Sequence, residues 1–179
     1  MSPEKIIQSL LEEFKKLEQT EIKQTQWSRA VLTALCRVGR QLGCSVWASS
    51  QFVNREDKDG GEWLYDVTWL KYKGDFLKLS PMVAECEWGN IGAIKDDFEK
   101  LILARAAVRV MVFDGMYCKN GAEGIVNKFC DWVGAYESSQ KRDTYLLIGY
   151  ERDEKYNWWF RYFNILVDDP SQQPILTRL

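Results

Sequence analysis

The chain has 179 residues, 46% of them apolar and 13% aromatic, and a formal net charge of −2. That length suits one domain, and the slightly acidic balance excludes a basic nucleic-acid coat, so any such binding needs a local patch. Histidine is absent, which removes Ser-His-Asp triads, Cys-His pairs and His-ligated zinc. The cysteines, Cys36, Cys44, Cys86, Cys118 and Cys130, are odd in number and lack a CxxC pair. They read as small reduced thiols in a reducing compartment. The N-terminus opens a charged helix instead of an apolar leader, and no apolar run approaches membrane-spanning length. The expected location is cytoplasmic, with no membrane partner.

In chain order, Pro3 and the spacing of Ile7, Leu10, Leu11, Phe14 and Leu17 predict a helix over roughly 3–22. A second helix follows Gln24-Thr25, with Val31, Ala34, Leu35, Val38 and Leu42 on one side, and stops at Gly43. Arg29, Arg37 and Arg40 lie on the opposite side and read as a solvated face, with phosphate contact as the functional alternative. A strand over 44–50 leads into the polar loop Asn54-Arg55-Glu56-Asp57-Lys58-Asp59-Gly60-Gly61. Strands are expected over 62–73 and 77–88, with a turn at Lys73-Gly74-Asp75 and an irregularity at Pro81. A helix over roughly 94–105 presents Ile94, Phe98, Leu101 and Ile102. The almost continuous apolar run over 106–113 predicts a strand buried on both faces, of the kind found in parallel pairing.

A fourth helix over roughly 122–138 carries Ile125, Phe129, Trp132, Val133 and Tyr136. Strands over 144–150 and 157–167, joined through Arg152-Asp153-Glu154-Lys155, make a hairpin rich in aromatic residues. The tail from Asp168, with Pro170 and Pro174, reads as irregular. With no repeat or linker, the expectation is a single α/β domain with a mixed central sheet flanked by helices. Its parts are an N-terminal helix (1–24), a core (25–114) and a helix plus aromatic hairpin (115–179). The aromatic crowd at Tyr156, Trp158, Trp159, Phe160, Tyr162 and Phe163 reads first as hairpin core. A base-stacking platform and a homodimer face there are the functional alternatives.

The acids are the informative chemistry. Glu85 and Glu87 are two apart, so on a strand they share a face. Alone they read as a solvated strand face. Asp66 differs, because its strand is apolar on both sides, with Trp63, Tyr65, Val67 and Trp69 alternating against Leu64, Thr68 and Leu70. Asp is a poor strand former, and an acid in such a place needs a partner. A basic side chain would serve, as would a hard divalent cation shared with Glu85.

The succession helix, three strands, helix, strand with these acids resembles the PD-(D/E)XK, or restriction endonuclease-like, nuclease superfamily over roughly 25–114. Asp66 matches the Asp on its second core strand, and Glu85-Cys86-Glu87 sits where acid-x-Lys belongs. The resemblance implies a restriction endonuclease-like core and a nuclease, a hydrolase that cleaves DNA phosphodiester bonds with a water held by Mg2+ or Mn2+. It implies Asp66, Glu85 and the Cys86 carbonyl as metal ligands. Glu87 replaces the usual lysine as the group that positions or deprotonates the water, and Lys100 on the following helix is the candidate for a migrated lysine. Lys95 is a weaker one, and helical pairing of Lys100 with Asp96 or Asp97 is the plainer reading of that residue. The helix before the first strand contains no Glu, which removes the usual second-metal ligand. The alternative function is a catalytically inactive nuclease-like domain that binds a protein or nucleic acid.

Overall fold

A computed structural model describes residues 1–20, 22 and 26–179. The expected end of the first helix near 22 and the Gln24-Thr25 start of the second therefore fall partly outside the described residues. The protein is α/β, with four α-helices and seven strands among the described residues. By contact density it divides into two compact units: residues 1–86 with 105–107, and residues 87–104 with 108–179.

In the first unit, α1 (Pro3–Leu17) is capped by Ser2, whose hydroxyl accepts the Lys5 N–H. Its inward face is Ile6, Leu10, Glu13 and Phe14: the expected Leu10 and Phe14 are buried, with Ile6 and Glu13 beside them while Ile7 and Leu11 are only half-buried. Glu13 is buried among these, held by Arg37 at 3.1 Å and Lys16 at 3.0 Å. Arg37 is thus an ion-pair partner, and Arg40 is another, to Asp59 at 2.9 Å. Helix α2 (Trp27–Gln41) packs on strand β1 (Ser45–Ala48) and strand β2 (Val67–Lys73).

Strand β1 pairs antiparallel with β2, and β2 with β3 (Phe76–Glu87). Gly74 turns the β2–β3 hairpin at φ +59°, a conformation that favours glycine. Across the hairpin Trp69 faces Met82 while Lys71 faces Leu79, so β3 carries an extra residue at Ser80-Pro81. The proline therefore sits in a bulge, and the Ser80 hydroxyl closes it by donating to the Trp69 carbonyl at 3.1 Å. Strand β2 is shorter than expected. Residues 62–66 form a separate turn, because Leu64 adopts φ +69° and a short bridge joins Trp63 to Tyr65.

The second unit holds α3 (Ile91–Leu103), β4 (Val108–Asp114), α4 (Gly121–Ala135), β5 (Thr144–Arg152), β6 (Trp158–Leu166) and β7 (Ile175–Arg178). Its sheet is mixed: β4 runs parallel to β5, and β5–β6 and β6–β7 are antiparallel. The run expected to be buried is so, from Val108 to Phe113, and its pairing is parallel. Arg109, inside that run, is held by Asp143 at 3.0 Å and by the Ala104 carbonyl at the end of α3. Phe98 of α3 stacks on Phe129 of α4 with ring centroids 4.0 Å apart. Phe160, Tyr162 and Phe163 are buried, in line with the hairpin-core reading of the aromatic cluster. The tail expected to be irregular forms β7 instead, because β6 has an open edge whose backbone groups need partners. No helix among the described residues is long and apolar enough to cross a membrane.

Candidate functional site

The β2–β3 pairing ends where Val67 faces Ala84, one residue short of Asp66 on one side and of Glu85 on the other. The Asp66 carboxylate reaches across to β3, where its Oδ2 accepts the Cys86 N–H at 2.8 Å. This is a charge-assisted bond between residues 20 apart in sequence. It fixes the carboxylate of an acid that stands in the 62–66 turn, beside exposed Trp63 and Leu64, and not in the doubly apolar strand expected.

Asp66 sits one residue before β2, half-buried, and Glu85 is only 3% exposed. The turn that delivers Asp66 is pinned by the Thr68 hydroxyl, which donates to the Trp63 carbonyl at 3.0 Å. Leu64 holds a left-handed conformation there, which costs a leucine about 1–2 kcal/mol. Thr68, Leu70 and Val83 lie on one face of the β2–β3 pair by strand alternation. They line a cavity of about 180 Å3 together with Trp63, Tyr65 and Arg105.

Glu87 ends β3 half-buried, and its Oε1 accepts the Gly89 N–H in the turn before α3. Asn90 caps that helix by accepting from Gly92 and Ala93. Lys100 pairs with Asp97 at 2.6 Å, the helical pairing that its spacing suggested, and Lys95 pairs with Glu99 at 2.7 Å. Cys86 enters the carboxylate arrangement through its main chain.

The donor set bears on which ion fits. Among the described residues no group of three or more Cys, Asp or Glu side chains gathers to hold a metal. A closed, all-protein calcium cage is therefore not built here. Mg2+ asks for less: it keeps several waters and takes one or two carboxylates plus substrate phosphate oxygens. Asp66 and Glu85, hard oxygen donors with Asp66 pre-oriented by a backbone amide, suit that smaller demand.

Sequence reasoning passed over two features. The 180 Å3 cavity is built partly by the 62–66 turn, which reads as strand from its alternation. Lys58, in a run of charged loop residues, is 8% exposed, and nothing in its neighbours signals burial. No family model, curated protein or solved structure matches the chain.

Proposed function

We propose that the protein is a Mg2+- or Mn2+-dependent phosphodiesterase acting on DNA, with Asp66 and Glu85 as the carboxylates that hold the ion. The observation that carries this reading is the bond from the Cys86 N–H to Asp66 Oδ2, which holds that carboxylate against β3 at the residue after Glu85. The chain order α2, β1, β2, β3, α3, β4 supports a restriction endonuclease-like core. A bound divalent ion supplies Lewis-acid polarisation of a phosphate and a more acidic water at neutral pH. The chain supplies the rest. The Cys86 amide keeps Asp66 in one orientation, and burial of Glu85 strengthens its field by excluding water. The resemblance assigns the proton to the Glu87 carboxylate, or a positive charge to Lys100 Nζ.

The test is a manganese-dependent cleavage assay on single-stranded, duplex and branched DNA. Asp66→Asn keeps an oxygen for the Cys86 amide but loses the charge, and both it and Glu85→Gln abolish cleavage with the fold intact. Glu87→Gln is the damaging change if Glu87 handles the proton, and Lys100→Ala if the lysine has moved to α3. A folded wild type that is silent on every substrate overturns the reading in favour of a catalytically inactive binding module. The pairing of Lys100 with Asp97 is the observation on that side.

A further inference from the structure

The loop between β1 and β2 encloses a second cavity, of about 400 Å3, lined by Ser50, Arg55, Lys58, Asp59, Gly60 and Gly61. Lys58 is the unusual member. Its residue is only 8% exposed, yet no carboxylate pairs with it among the described residues. Its Nζ donates to the Ala48 carbonyl at 2.8 Å and to the Ser50 hydroxyl at 2.7 Å. An ammonium has three donors, and its two hydrogen bonds to neutral oxygens leave one for a ligand. A charge taken out of water in this way is costly until an opposite charge meets it.

The other lining groups suit an anion. Arg55 is exposed at the rim and has no ion-pair partner among the described residues. Asp59, which would repel an anion, is already committed: Oδ1 to Arg40 at 2.9 Å and Oδ2 to the Val46 N–H at 2.7 Å. Gly61 leaves open space where a side chain would stand, so a ligand can approach the backbone. The volume far exceeds that of a single water.

We propose that this cavity binds a phosphate monoester, with the Lys58 ammonium as its buried cation and the Arg55 guanidinium closing over it from the rim. Arg matches phosphate oxygens as a planar fork, and Lys contributes a compact point charge. The proposal does not rest on the phosphodiesterase reading, because none of its groups belongs to the carboxylate pair. The phosphate belongs either to the end of a nucleic-acid strand or to a small phosphorylated molecule.

Binding is measured in EDTA, so that the carboxylate pair plays no part. Inorganic phosphate is titrated by calorimetry against chloride at matched ionic strength. A 5′-phosphorylated single-stranded oligonucleotide is compared with its 5′-hydroxyl twin by fluorescence anisotropy. Wild type binds phosphate, Arg55→Ala weakens it by about tenfold, and Lys58→Met removes it. Preference for the phosphorylated oligonucleotide assigns a strand end; inorganic phosphate binding without that preference assigns a small phosphorylated molecule. Because Arg55 is exposed, Arg55→Ala decides the matter if Lys58→Met does not fold. Absence of phosphate binding by wild type in both arms, or wild-type affinity in Arg55→Ala, overturns the proposal.

Discussion

Gly39→Ala offers a quantitative test of how α2 holds the strand that delivers Asp66. Gly39 lies inside the helix, where alanine is intrinsically better by about 1 kcal/mol. On propensity alone the substitution stabilises. A Cβ at that position, however, would stand 2.6 Å from Trp69 Nε1, 2.7 Å from Trp69 Cε2 and 2.8 Å from Val46 Cγ2. Ordinary contact needs about 3.5–4 Å between such atoms, so α2 or the indole must give by nearly an ångström. Both neighbours are fully buried, and they face each other across β1 and β2. Overpacking of a close-packed core costs about 1–3 kcal/mol, and two rigid neighbours place this site in the upper half of that range. Subtracting the propensity gain leaves a net loss of about 1–2 kcal/mol. Urea unfolding followed by far-ultraviolet circular dichroism measures it.

Trp69→Phe removes the offending edge of the ring, so the double variant is more stable than the sum of the two single changes predicts. A Gly39→Ala protein at least as stable as wild type, or strict additivity in that cycle, refutes the account of the α2–sheet contact.

Other outcomes follow from individual groups. Burial pushes the Cys36 thiol up to about 12 from an ordinary 9.0, with Asp57 adding to the shift. The folded chain then keeps a proton that the unfolded chain releases. The thiol's contribution is intact below pH 9 and falls away by about 1.4 kcal/mol per pH unit as pH rises toward 12. Tyr145, also raised by burial to about 12, adds to the loss above its ordinary 10.0. Urea midpoints that stay constant from pH 8 to 11 contradict both shifts. Asp143→Ala strands the buried Arg109 guanidinium and costs about 3 kcal/mol; a change below 1 kcal/mol shows that the pair is well solvated. Glu151→Ala strips the carboxylate that accepts the Ala122 N–H at the start of α4 and the Arg161 Nε–H. Amide exchange near residue 122 then accelerates, while the middle of β5 stays protected.

Hydropathy alone predicted the order of helices and strands, because a helix or strand that buries one face must repeat its apolar residues at 3.6 or 2. The parallel, doubly buried β4 was legible for the same reason, as was the turn at Gly74. Asp66 was legible as an anomaly, an acid among apolar neighbours, although those neighbours form a turn and not the doubly apolar strand expected. Its bond to the Cys86 amide was not, since that depends on how β2 and β3 register across a hairpin whose bulge at Ser80-Pro81 shifts the pairing. The 62–66 turn escaped because alternation looks the same whether or not a strand continues, and Leu64 leaves it through a backbone conformation that leucine rarely adopts. β7 formed because a neighbouring edge was open, a fact about β6 and not about the tail's own residues. Lys58 is the clearest case. Its charged neighbours describe a solvated loop, and only the folded chain turns the loop back so that its ammonium meets Ala48 and Ser50. Periodicity is a local property that each segment carries with it, whereas register, burial and the partners of a charge are set by residues distant in the chain.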